Sequence, residues 1–132
     1  MSTSAALICR VNNKAQAITV HWDGYPEHVG RLLKNHYNEP KKIEALFALG
    51  DCSSLGPNLE GSENHSFLKP ERGVSVFYHR DRKDALNHCK AQTFQSYSKA
   101  VEHMTGNVSY IYIFRNGKWS CTTGQGSKVK IS

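Results

Sequence analysis

The chain of 132 residues has no stretch approaching the roughly 18 consecutive apolar residues of a membrane-crossing helix, which excludes that class of protein. Its four cysteines, Cys9, Cys52, Cys89 and Cys121, form no Cys-x-x-Cys pair, so a structural zinc site is not indicated and all four read as thiols. Cys9 and Cys121 stand in strand-like sequence, where a free cysteine behaves as a small buried hydrophobe. There is no Gly-Lys-Ser/Thr, and the glycine- and serine-bearing stretch Gly50 to Gly56 follows a helical pattern instead of a strand, which disfavours nucleoside triphosphate hydrolysis. His-x-x-x-His, Asp-x-Asp and a nucleophile elbow are missing as well, and no cofactor is indicated. The segment Met1 to Ala6 lacks both a basic region and a long apolar run, so nothing marks it for export and a cytoplasmic setting is expected.

What is present suits one soluble domain, with 39% hydrophobic and 21% charged residues. The net charge of +6 is unevenly distributed along the chain. Seven basic residues in 1 to 70 meet seven acidic ones, whereas 71 to 132 hold ten against Glu71, Asp81, Asp84 and Glu102. From Arg115 onward there is no acid at all. Such asymmetry points to an anionic partner, a nucleic acid, a nucleotide or an acidic protein surface; the plain alternative is a solvated basic face that aids solubility.

The patterning gives an order of elements. Ala5 to Val11 and Ala15 to Trp22 flank the turn signal Asn12-Asn13-Lys14 and read as a hairpin. Pro26 suits a first helical position, and Val29, Leu32, Leu33, His36 and Tyr37 continue one helical face to about Asn38. Pro40 opens a second helix that Gly50 closes. Asp51 to Asn64 reads as a loop, mobile at Glu60 to Glu63, and Val74 to His79 as a strand closed by Arg80-Asp81-Arg82. Asp84 to Met104 reads as the longest helix, and Asn107 to Phe114 and Lys118 to Thr122 as strands about the Asn116-Gly117 turn. The expected fold is α+β in the order ββααβαββ: a single domain over residues 1–123, with an antiparallel or mixed sheet of about five strands and two to three helices packed on it. Residues 124–132 form a basic tail or an edge strand through Val129 and Ile131.

Two constellations carry chemistry. His21, Asp23, Asp51, His65, His79 and Asp81 lie at expected strand ends or beside them, and such imidazoles and carboxylates can hold a divalent metal or divide acid and base work. Within that set His21, Asp23, His79 and Asp81 are the candidate catalytic residues. Their spacing is loose, and ordinary roles are favoured: Asp23 and Asp51 bonding nearby backbone, Asp81 pairing with Arg80 or Arg82. The second set is aromatic and basic. Trp22, Tyr25, Arg80, Arg82, Lys83, Arg115 and Lys118 are the candidate ligand-binding residues, with Tyr78 and Trp119 beside them, because aromatic faces stack on bases while guanidinium groups grip phosphates. Trp22, Asp23 and Tyr25 are expected to form one wall of a site and His79 to Arg82 the other.

His21-Trp22-Asp23-Gly24-Tyr25-Pro26, Leu49-Gly50-Asp51-Cys52-Ser53-Ser54-Leu55-Gly56, His65-Ser66-Phe67 and His79-Arg80-Asp81-Arg82 occur in that order. The combination resembles small, functionally uncharacterised proteins encoded by tailed phages and prophages, over most of the chain to Arg82 and again near Tyr110 to Trp119. The resemblance implies a phage or prophage product acting in the bacterial cytoplasm on host machinery or host defence. It carries no chemistry to transfer, and the chain departs from the pattern where Lys83, instead of a glycine and an acid, follows Arg82.

Three functions follow. The leading one is a binding protein, an inhibitor or counter-defence factor working through a basic, aromatic-lined surface. The others are a small metal- or His/Asp-dependent enzyme for a phosphorylated or nucleotide substrate, and a phage structural or assembly accessory.

Overall fold

In the computed structural model, which describes residues 3–131, Asn12 and Asn13 both take left-handed backbone, φ 50° and 66°. Two such residues in succession fit the tight turn that matches the twist of a hairpin. They fold Ala5–Val11 (β1) against Lys14–Val20 (β2) in full antiparallel register from Ala5↔Val20 to Val11↔Lys14. Asn116 and Gly117, φ 54° and 77°, do the same for Tyr110–Arg115 (β6) and Lys118–Thr123 (β7). The two hairpins then join: β1 pairs with β6 in parallel, from Ala5↔Tyr110 to Ile8↔Ile113.

On the far side of β2 lies Cys52–Ser54 (β3), and beyond it Val76–Phe77 (β4). Lys128–Val129 (β8) closes the opposite edge against β7, so the tail does supply an edge strand. The path across the sheet is β4-β3-β2-β1-β6-β7-β8, while Gln92–Phe94 (β5) fills the rest of the outer edge of β2 opposite Ala15, Gln16 and Ala17.

Both faces are covered. Leu7, Cys9, Ile18 and Val20 face Val29 and Leu33 of the first helical segment and Ile43, Leu46 and Phe47 of the second. That first segment starts as a π-turned stretch, Pro26–Gly30, and continues as Arg31–His36 (α1); the second is Pro40–Leu49 (α2). On the other face Ala6, Ile8, Ala15 and Ala17 meet Ala100 and Met104 of Tyr97–Met104 (α5). The near-continuous apolar run of β1 is therefore a strand buried on both sides. Cys9, Cys52, Cys89 and Cys121 are all free and buried, and burial pushes the Cys9 thiol up to about 12 and the Cys121 thiol up to about 11.

The class is α+β with one mixed sheet, but the described residues hold eight strands and five α-helices where about five and two to three were expected. The edge strand β8 and three further segments account for the difference. The long helix over Asp84 to Met104 is instead Leu86–Cys89 (α4), β5 and α5. Gln92 to Phe94 take up the backbone groups that the short β3 leaves open on β2, and Ser96 caps α5 by accepting from the Lys99 N–H. The strand expected over Val74 to His79 stops at Phe77, and Tyr78–Arg82 (α3) is a short helix ended by Lys83 in left-handed backbone. The loop from Asp51 contains β3, whose bonds to β2 continue beyond Val20 as His21 N–H to Cys52 O and Trp22 N–H to Ser53 O.

Candidate functional site

The hexapeptide continues from β2 at the end of the sheet where β1 begins. Asp23 turns the chain in left-handed backbone, and Gly24 is buried against the start of β1, its N–H donating to Thr3 O at 2.8 Å and its carbonyl accepting from Tyr112 Oη at 2.7 Å. A Cβ on Gly24 would lie 2.8 Å from Ala5 Cβ and 2.9 Å from Ser4 C. With Gly24 and Pro26 buried, His21, Trp22, Asp23 and Tyr25 are left outside. Trp22 is 47% exposed and Tyr25 37% exposed, and the His21 and Trp22 rings lie 4.7 Å apart.

The Arg-Asp-Arg element has a different task. Arg80 donates to Leu59 O (2.6 Å) and Ser75 O (2.9 Å) and grips both oxygens of Asp81. Asp81 also accepts the Phe77 N–H at 2.8 Å. Burial alone would raise the Asp81 carboxyl, but the Arg80 guanidinium and the Phe77 N–H outweigh it and hold Asp81 below the usual carboxylate value. His65 Nδ1 accepts the Glu71 N–H, which places the ring proton on Nε2, 3.5 Å from Asp81 Oδ2. Both donors of Ser62 in turn meet Glu71 Oε1. The loop expected to be mobile at Glu60 to Glu63 is thus tied at Ser62, and its base is clamped by Tyr37 Oη to Gly56 O and Lys42 Nζ to Pro57 O.

Arg82 pairs with Asp84 through two bonds and lies over the rings of Phe67 and Tyr78, while Lys83 Nζ donates to Arg80 O. His79 Nδ1 donates to Asp84 O at 2.8 Å. Arg80 and Arg82 accordingly fasten a loop to α3, while Lys83 bonds the helix's own end. Among the described residues no hydrogen bond, ion pair or ring contact joins the two expected walls, nor His21 or Asp23 to His79 or Asp81. β3 runs parallel to β2 and antiparallel to β4, with Cys52 level with both Val20 and Phe77, so the hexapeptide and α3 leave their strands in opposite directions. Among the described residues no group of three or more His, Cys, Asp or Glu converges as a metal site requires.

Arg115 and Lys118 find other company. Two residues past the last parallel pair, Ile8↔Ile113, stand Arg10 and Arg115 on neighbouring strands. Lys14 stands across the first hairpin turn and Lys118 across the second. Arg115 lies 4.6 Å over the ring of Tyr97, whose hydroxyl donates to Phe114 O at 3.0 Å, and Arg10 donates to Asn13 Oδ1. Clefts of about 220 and 550 Å³ adjoin Arg10, Tyr97 and Arg115. Among the described residues, none of these four cations has a carboxylate within 4.0 Å.

No family model, curated protein or solved structure matches the chain. The chemistry of the surface must therefore be read from the residues that form it, and these divide into an aromatic corner at one end of β1 and a basic end at the other. Arg10, Lys14 and Tyr97 are additions to the sequence reading. The balanced charge of the first half concealed Arg10 and Lys14, because parallel pairing with β6 is what adds them to the excess of the second half.

A third feature lies on the face covered by α5. A cleft of about 750 Å³ opens between the α4–β5 segment and the C-terminal end of α5, floored by Ala17 and Thr19 of β2. Asp51 lies at its side, with Oδ1 accepting the Thr19 N–H at 3.0 Å. Burial raises the Asp51 carboxyl, an effect only partly offset by that bond. A raised carboxyl contributes stability below its ordinary pKa and loses that contribution as pH rises through the folded-state value. Asp51→Asn, which keeps an oxygen for Thr19, is expected to raise Tm by a few °C at pH 7 and to change it little near pH 3, as scanning calorimetry at the two pH values would read.

Proposed function

We propose that the chain is a binding protein that engages an anionic macromolecule through its basic end. The carrying observation is that Arg10, Lys14, Arg115 and Lys118, drawn from both hairpins, stand at one end of the sheet with no carboxylate within 4.0 Å among the described residues, and that Arg10, Lys14 and Arg115 border a cleft with Tyr97. Like charges on neighbouring strands disfavour the folded state. An incoming row of phosphates or carboxylates relieves that repulsion, and the fixed guanidinium groups give it two-pronged contacts. The exposed pair Trp22 and Tyr25, held on the buried Gly24 and Pro26, supplies a separate apolar contact at the other end of the sheet.

The motif order shared with small phage and prophage proteins makes a host component the fitting partner, whether of the host's own machinery or of its defence, met in the bacterial cytoplasm. An enzyme reading has less behind it, since His79 and Asp81 are engaged within the chain and among the described residues no contact joins them to His21 or Asp23.

The test is a titration at low salt of a labelled single-stranded oligonucleotide and, separately, of an acidic polypeptide. For the oligonucleotide, four phosphate contacts imply a log–log salt slope of about −3. Arg10→Glu with Arg115→Glu is expected to lower affinity about a hundredfold or more, because two attractive contacts become repulsive. Equal affinity in the doubly reversed protein, or no binding to either polyanion, would overturn the proposal.

A further inference from the structure

The cleft beside Asp51 combines three kinds of group that one small ligand can satisfy together. Its aromatic part is the Phe94 and His103 ring pair, with centroids 5.2 Å apart. Its amide part is Asn87 and Gln92, both exposed side chains on the α4–β5 wall. Asp51 has one carboxylate oxygen on Thr19 N–H, and Lys90 supplies a cation on the same wall. Ala17 and Thr19, small side chains in the floor, leave the space open.

An amide offers a donor and an acceptor side by side, the arrangement presented by the edge of a nucleobase. A flat heterocycle also fits an aromatic wall, as unstacked bases do on Phe and His rings. The volume falls within the roughly 300–1,000 Å³ of small-molecule sites. Lys90 is the one Lys or Arg in the lining, beside the Asp51 carboxylate and the His88 and His103 imidazoles, which suits one phosphate and not a polyphosphate. We propose that this cleft binds a nucleoside monophosphate, with the base against Phe94 and His103, its edge read by Asn87, Gln92 and Asp51, and the phosphate met by Lys90.

The site shares no residue with the basic end, and Asp51 Oδ1 is already held at its side by the Thr19 N–H. The experiment is calorimetric titration of the full chain with AMP, GMP, CMP and UMP, with adenosine and inorganic phosphate as controls. At least one nucleotide is expected to bind with Kd below about 1 mM and about tenfold tighter than inorganic phosphate. Lys90→Ala should weaken the nucleotide about fivefold or more without weakening the nucleoside, and Asn87→Ala or Gln92→Ala should weaken both. All three positions are exposed, so the variants test binding and not folding. Arg10→Glu with Arg115→Glu should leave this affinity unchanged. The proposal is overturned if no nucleotide binds at several millimolar, if phosphate alone binds equally well, if the three cleft variants bind like the parent, or if reversal at the basic end abolishes binding.

Discussion

Asp81→Ala is expected to destabilise the fold by about 3 kcal/mol, the lower end of the cost of breaking a buried charge pair, since Arg80 retains 23% exposure. The loss is large because one carboxylate serves several partners. Without it, Arg80 remains among Leu59 O and Ser75 O with only the exposed Glu60 carboxylate, 3.8 Å away, as counter-charge, Phe77 N–H has no acceptor and His65 Nε2 loses its neighbouring anion. For a chain of this size the fall in Tm is on the order of 10 °C. Replacing both partners, Arg80→Met with Asp81→Leu, should cost less than Asp81→Ala alone, as pairs removed together leave no orphaned charge. The pH dependence has a definite sign. A depressed carboxyl contributes stability above its ordinary pKa and loses it as pH falls through the folded-state value. The parent should therefore lose stability as pH falls from about 4 downward, and Asp81→Asn should flatten that limb. Urea titrations across pH 2–7 would read both effects, and a loss below about 1 kcal/mol in Asp81→Ala would show that the loop does not depend on this clamp.

Gly24→Ala should cost about 2–3 kcal/mol, although it adds one methyl group. The obstacles are the Ser4 backbone, just before the central strand, and the Ala5 Cβ at its start, which cannot swing aside as a flexible side chain would. Moving them also disturbs Gly24 N–H to Thr3 O and Tyr112 Oη to Gly24 O. Tyr112→Phe isolates the second bond and is expected to cost about 1–2 kcal/mol, leaving a buried carbonyl unpaired. If equilibrium unfolding shows Gly24→Ala within about 0.5 kcal/mol of the parent, the corner is more compliant than this packing implies.

The sequence was most legible where a local signal matched the tertiary demand. Asn12-Asn13 and Asn116-Gly117 marked hairpins that form as expected, and Pro40 and Gly50 bracket α2 as expected. Legibility failed where distant backbone decided the outcome. Gln92 to Phe94 leave the helical state because β2 has unfilled bonding positions opposite them, something no window around residue 92 contains. Cys52 to Ser54 read as loop because β3 is too short to show an alternation.

The candidate sites divide in the same way. The hexapeptide's ordinary duties were readable in Gly24 and Pro26. Arg80 looked free for a ligand because its two carbonyl partners, Leu59 and Ser75, are distant in sequence or carry no mark of the role. The basic end was half visible: Arg115 and Lys118 stood out in an acid-free stretch, whereas Arg10 and Lys14 are added by parallel pairing between strands from opposite halves of the chain.

That pairing also governs how the molecule is made. β1 is apolar on both faces and depends on β6 for one of its two ladders, so residue 5 waits for residue 110. Contacts so far apart are slow to form, and during synthesis the β1–β2 hairpin emerges with one long, sticky edge unfilled. The period before Tyr110 to Ile113 leave the ribosome is when the chain is most open to aggregation and to chaperone capture, and slowing translation between the two hairpins should lower the yield of native protein.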